Sequence, residues 1–324
     1  MPPFVACRGI VSSTRLSARR VARLRTDRRG RSTLAPGEPS GFNPSRAQSI
    51  VLLSTARVAG TEEPMSTIDL IRDGAIARVW LNRPEQHNSL AAELVSELTS
   101  ALHELALDPT VRIVVLGGYG PSFCAGADIG LMKASAHATF EQNLAESERL
   151  AGLFSTLADL PKPTVARLHG AVLGGGVGLA CACDIAVAAD DAKLGLTEVR
   201  LGILPAIISP YVIRRLGDRS ARELMLTGER MDAATALRYR LVHHVVPIAE
   251  LDAKVDERIK ALMSGAPHAQ TRVKTLLELW ADSTWEEYRT GLPRVLAEVR
   301  AGEEAKEGLG AFFEKRKPKW TESA

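Results

Sequence analysis

Apolar residues recur in two rhythms along this chain, one of period two and one of about three and a half. Short apolar runs at 68–71 and 75–81 enclose Arg72-Asp73-Gly74. An Asp-Gly pair between alternating apolar positions predicts a β-hairpin. Leu90, Leu94, Leu98, Leu102 and Leu105 then return about once per helical turn, which predicts a helix over 89–107 that Asp108-Pro109 stops. The run 113–116 reads as a buried strand, followed by a Gly-rich turn at 117–120. A polar helix over about 138–158 leads through Leu160-Pro161-Lys162-Pro163 into a strand at 164–168. Residues 170–178 open a helix of small residues that ends near Cys183, and 184–188 is another strand. From about Pro205 the pattern is nearly all helical, to a last segment at 310–320. Strands alternating with helices predict right-handed βαβ units, so the fold class is α/β.

Composition adds a boundary. The 324 residues are 45% apolar and 24% charged, enough for one large domain or two modest ones. The net charge of +3 is unevenly spread: residues 1–64 hold 11 Arg, no Lys and four acids, about +7, and 65–324 carry about −4. Residues 1–64 are therefore expected to be a disordered or mis-called N-terminal extension, since Met65-Ser66-Thr67 stands as a natural start before the first strand. A mitochondrial targeting segment, Arg- and Ser-rich and poor in acids, is the competing reading. The remainder divides into a core at 65–260 and a helical C-terminal region at 261–324. No apolar run of about 18 residues predicts a membrane span, and no basic stripe points to nucleic acid. Cys7, Cys124, Cys181 and Cys183 form neither a disulfide framework nor a paired zinc motif, which fits a reducing, cytoplasmic setting. Cys181-Ala182-Cys183 reads as buried small thiols rather than as part of a metal site.

Two glycine-bearing turns carry the candidate chemistry. Phe123-Cys124-Ala125-Gly126-Ala127-Asp128 follows one apolar strand, and Gly174-Gly175-Gly176-Val177-Gly178 follows another about 50 residues on. The second opens a helix, whose first N–H groups lack intrahelical partners. Two such N–H groups converging on a carbonyl oxygen would stabilise an enolate. Packing turns are the competing reading, and 174–178 does not satisfy the G-x-G-x-x-G pattern of a dinucleotide site. His169, His243 and His244 read as structural, and no spacing supports a metal site.

The motif F-C-A-G-A-D-I at 123–129 resembles the first oxyanion-hole motif of the crotonase (enoyl-CoA hydratase/isomerase) superfamily, and G-A-V-L-G-G-G-V-G-L-A-C-A-C-D at 170–184 is similar to its second. Leu81-Asn82-Arg83-Pro84 with Asn88 resembles its CoA-binding segment, and Thr227-Gly228-Glu229-Arg230 with Asp232-Ala233 its late helical signature. The resemblance covers nearly all of 66–320. It implies a spiral of ββα units with a helical C-terminal region, packed as a homo-trimer or hexamer. It places the oxyanion-hole amides at Ala127 and Gly175 and CoA contacts at Arg83, Asn88, Ala125, Gly126 and Asp128. Phe312 and Lys315 match the tail that reaches the nucleotide end of CoA, often from a neighbouring subunit. Coenzyme A would enter as part of an acyl-CoA thioester substrate, with no separate cofactor.

Hydratases of this family hold water between two glutamates. Glu198, in Leu196-Thr197-Glu198-Val199-Arg200, stands at one of these positions; the other is Gly178, which has no side chain. Glu198 is thus the expected general acid/base, and ordinary two-glutamate hydration is not. The stretch 201–212 is similar to bacterial methylglutaconyl-CoA and isohexenylglutaconyl-CoA hydratases of leucine and terpene breakdown, which also have glycine at the position of Gly178. A branched or dicarboxylic substrate such as 3-methylglutaconyl-CoA follows as an expectation, with Lys133, Asn143 or Arg200 as partners for its second carboxylate. Double-bond isomerisation, which one carboxylate can serve, and a non-catalytic acyl-CoA-binding protein are the alternatives.

Overall fold

The computed structural model describes residues 66–321; the expectations for residues 1–64 and Cys7 lie outside them. Strands β1 (Ile68–Asp73) and β2 (Ile76–Leu81) form the predicted antiparallel hairpin, with Gly74 at φ +55° in its turn. Helix α1 (Ala92–Leu107) buries Leu94, Leu98, Leu102 and Leu105. It starts three residues later than its periodicity implies, because His87 and Asn88 both adopt positive φ. Strand β3 (Ile113–Gly118) is buried throughout and takes in Gly117 and Gly118, which the sequence places in a turn. A Cβ on Gly117 would overlap the Trp80 ring, so the glycine serves strand packing.

Helix α2 (Ile129–Ser135) has no forerunner in the sequence pattern. It precedes α3 (Phe140–Ala158), whose N-terminus is closed by a Thr139/Gln142 capping box. Then come β4 (Thr164–Leu168), β5 (Ala171–Leu173), α4 (Gly175–Ala182), β6 (Ile185–Ala189) and β7 (Lys193–Gly195). The chain continues through α5 (Ser209–Thr227), β8 (Arg230–Asp232), α6 (Ala233–Arg238) and β9 (His244–Val246). It closes with α7 (Leu251–Met263), α8 (Pro267–Asp282), α9 (Trp285–Ala301) and α10 (Glu303–Phe313). The three-residue strands β5, β7 and β8 are too short to leave a periodic trace in the sequence.

One sheet runs β1-β2-β3-β4-β6-β9, parallel after the first hairpin, and a second runs β5-β7-β8. The period of two divides each central strand between two cores. Val114 and Leu116 face the larger core with α1, α3 and α4. Ile113 and Val115 face a smaller one with Val165, Val187 and the Leu251, Val255, Ile259 and Met263 stripe of α7. Each of those aliphatic side chains contributes on the order of 1.5–3 kcal/mol when fully buried. The C-terminal helices are tied to the sheet by Arg112 at the start of β3. Its guanidinium donates to the carbonyl oxygens of Trp320 (2.6 Å), Gly265 (2.6 Å) and Met263 (3.2 Å). The described residues lie within one compact unit. Among them no helix is long and apolar enough to cross a membrane.

Candidate active site

The two glycine turns meet because the chain after Phe123 pairs with β5. The Cys124 N–H donates to the Ala171 carbonyl (3.1 Å), the Leu173 N–H donates to the Cys124 carbonyl (3.0 Å), and Cys124 bridges Val172 in parallel register. A Cβ on Gly176 would overlap the Cys124 carbonyl oxygen; its absence lets α4 start directly behind the first turn. On the other side, the Leu90 N–H donates to Gly126 (2.7 Å) and the Ala125 N–H to His87 (2.9 Å). Ala127 thereby lies at a bridge to Leu90, and its N–H donates to no backbone carbonyl among the described residues. The Gly175 N–H is the first of α4 and is equally free.

Both residues line a cavity of about 650 Å3, together with Leu90, Leu150, Phe154, Ile208 and Glu198. Glu198 opens a one-turn helix that Gly202 ends in the left-handed region. Its Oε2 is buried without a hydrogen-bond partner, and burial pushes the carboxyl above the usual carboxylate range. Such a group holds a proton more readily than a solvated glutamate.

Gly178 does not line the cavity. A Cβ there would press into Ile208 Cγ2 and lie 2.8 Å from Phe154 Cε1. The space a second carboxylate would enter is occupied by two apolar side chains that themselves form the cavity wall.

The structure divides the residues expected at CoA. Arg83 donates to the Ser89 carbonyl (2.7 Å) and pairs with Asp128 (3.1 Å), which also accepts from the Ser89 hydroxyl (3.0 Å). Asp128 caps α2 through the Gly130 and Leu131 N–H groups. Burial acts to raise its pKa, but these hydrogen bonds outweigh it and hold the carboxyl below its ordinary range. Asn88, by contrast, is completely buried, and its side chain is engaged within the protein. Its Oδ1 accepts from the Arg83 N–H (2.8 Å), and its Nδ2 donates to Tyr119 (2.9 Å) and Ser122 (2.7 Å). The asparagine shapes the 83–89 loop instead. Ala125 and Gly126 contribute backbone to the first turn without lining the cavity. Phe312 and Lys315 lie exposed at the end of α10, away from the cavity lining. Of the three partners considered for a substrate carboxylate, only Asn143 lines the cavity; Lys133 and Arg200 are exposed. Sequence reasoning passed over Glu146, which does line it. Its only signal is its place on the Asn143, Glu146, Leu150 stripe of α3, one turn apart each.

His169 donates from Nε2 to the Gly120 carbonyl (2.9 Å), and His243 Nδ1 accepts from the Ala186 N–H (3.0 Å), both structural contacts. Cys124, Cys181 and Cys183 are buried free thiols, each pushed up to about 12 by burial.

A backbone-donor pair beside one buried carboxyl, at the start of α4, is an arrangement that can hold a carbonyl oxygen as it takes up negative charge while the carboxyl moves a proton. Residues 72–323 match the family described as enoyl-CoA hydratase/isomerase, and the chain belongs to that enzyme family. It is 36% identical over 250 residues to a putative enoyl-CoA hydratase of Thermus thermophilus, covering 77% of this chain and 99% of that protein. A crystal structure of an enoyl-CoA hydratase from Shewanella pealeana superposes with a TM-score of 0.76 at 40% identity, covering 78% of this chain and 96% of that one. The structure of Pseudomonas aeruginosa AtuE gives 0.76 at 38% identity, covering 79% and 99%. The α/β body with its helical C-terminal region is thus the crotonase fold.

Proposed function

We propose that this protein is an enoyl-CoA hydratase, a carbon–oxygen lyase that hydrates a branched enoyl-CoA with Glu198 as general acid/base. The observation that carries this is the unpartnered Oε2 of Glu198, buried beside a cavity that the Ala127 and Gly175 amides also line. In this reading the two N–H groups hold the thioester carbonyl oxygen. Glu198 takes a proton from water as its oxygen bonds to the β-carbon, and the electron pair moves to the carbonyl oxygen as an enolate. The same carboxyl then returns the proton to the α-carbon, which restores Glu198 and balances the addition. One carboxylate suffices because it acts in sequence. Coenzyme A arrives with the substrate, and no other cofactor takes part. Arg83 and Asp128 set the loop on which the CoA moiety would rest. The exposed Phe312 and Phe313, 76% and 75% accessible, support assembly as a trimer or hexamer in which α10 meets a neighbour.

The alternative, a dicarboxylic acyl group as in 3-methylglutaconyl-CoA, would meet the Asn143 amide but also the Glu146 carboxylate in the cavity, and a comparison of substrates decides between the two. Crotonyl-CoA, 3-methylcrotonyl-CoA and 3-methylglutaconyl-CoA should be incubated with the protein in oxygen-18 water. Label in the product, with a branched substrate turned over faster than crotonyl-CoA, is the expected result. A shifted double bond without label means isomerisation instead, and faster crotonyl-CoA turnover rejects the branched class.

A further inference from the structure

The hydratase reading leaves one ionisable side chain of the cavity without a task. Among the described residues, Glu146 and Glu198 are the only ionisable side chains that line it. Glu146 makes no hydrogen bond or ion pair with another described residue, so its carboxylate has unused acceptor capacity. Its surroundings are polar on its own helix and on α2, where Asn143, Ser147 and Ser135 also line the cavity. One N–H of the Asn143 amide and the Ser147 hydroxyl are engaged by backbone carbonyls, of Ser135 (3.2 Å) and Asn143 (2.8 Å) respectively. The facing wall, Leu201 and 203–208, is apolar.

Distance along α3 separates Glu146 from the reacting atoms. Phe154 marks the catalytic end, because its ring lies against the positions of Gly175 and Gly178. Glu146 is eight residues earlier, about 12 Å along the axis at 1.5 Å per residue. Leu150, one turn from each, makes the wall between them apolar. A carboxylate so placed sits about two helical turns from the catalytic end of the cavity, on the side where the distal part of an acyl chain would run.

Resting on the reading of this cavity as an acyl-CoA site, we propose that Glu146 is a specificity-determining residue that accepts a hydrogen bond from a hydroxyl at the distal end of the acyl group. A hydroxyl end satisfies the carboxylate and shares its partly apolar surroundings. A methyl end leaves it unsatisfied, and a carboxylate end meets like charge at short range with no cation lining the cavity to offset it. The site therefore selects hydroxylated acyl groups and disfavours dicarboxylic ones of the same length.

Binding tests this without turnover. Hexanoyl-CoA, 6-hydroxyhexanoyl-CoA and adipoyl-CoA have equal chain length and differ only in a methyl, hydroxyl or carboxylate end. By calorimetry the unmodified protein should bind the hydroxyl compound at least tenfold more tightly than adipoyl-CoA, and Glu146→Gln should reduce that ratio several-fold by improving adipoyl-CoA. Raising the salt concentration should narrow the same ratio in the unmodified protein, because screening weakens like-charge repulsion. Equal affinity for the two polar ligands, or an unchanged ratio in the variant, overturns the proposal. Failure of the oxygen-18 experiment, by contrast, would remove the hydratase reading and leave these binding ratios meaningful.

Discussion

The Glu198 carboxylate rests against Gly174: a Cβ built on that glycine would stand 3.2 Å from Oε1. Gly174 also holds φ +50° and ψ −115°, outside the regions that L side chains favour. Both constraints converge on one residue because the chain must reverse sharply to begin α4 while leaving room for the carboxyl. Gly174→Ala should therefore cost about 1–3 kcal/mol in stability through backbone strain and lower kcat by displacing Glu198. Urea unfolding and steady-state hydration with a common enoyl-CoA check the two effects, and a variant with unchanged kcat would separate Gly174 from the site.

Burial raises the Glu198 pKa, which ties activity and stability to pH in opposite senses. Between the ordinary glutamate value and the raised one, the folded state binds more protons than the unfolded state. Stability from this group is thus lost as pH rises through that window. Hydration needs the ionised form, so kcat/KM should fall on the acid side at a pH above that of a solvated carboxylate. Glu198→Gln should abolish that limb, reduce kcat by about 100-fold or more, and raise Tm at neutral pH. A pH–rate profile together with thermal unfolding reads all three; a lower Tm in the variant would mean that contacts within the fold stabilise the charged form.

The oxyanion assignment is tested by a pair of variants at Gly175. Proline is tolerated at the first position of a helix but removes the N–H. A Cβ there meets Leu90 Cδ1 at 2.5 Å, so part of any loss comes from crowding. Gly175→Ala carries the same crowding and keeps the donor. The proline variant should fall below the alanine variant in kcat by about 100-fold, the usual scale for one oxyanion donor. Equal rates would place the donor elsewhere.

Gly178 is held by packing against Ile208 and Phe154, and restoring a side chain should harm the fold before it helps the chemistry. Gly178→Ala should destabilise by about 1–3 kcal/mol through overpacking. Adding Ile208→Ala should recover part of this, a coupling of about 1 kcal/mol visible in a double-mutant cycle of denaturant unfolding.

Much of this protein was determined by sequence alone, wherever the information is local. The hairpin at Asp73-Gly74, the leucine stripe of α1 and the strand at β4 follow from local pattern, because a turn pair, a helical apolar stripe and a short apolar run each announce the element that buries them. The two glycine turns and Glu198 were legible as motifs, since backbone donors and a carboxyl leave a fixed pattern of residue types. Tertiary structure alone decided what surrounds them. Asn88 looked like a ligand residue, yet burial and three hydrogen bonds make it a brace. Gly178 showed that a carboxylate was missing, but not that Phe154 and Ile208, 24 residues before it and 30 after, had taken the space. Glu146 read as one more charge on a polar helix, and only the packing of α3 across the cavity turned it inward. Burial and proximity between distant segments are properties of the assembled chain, and no single stretch of sequence carries them.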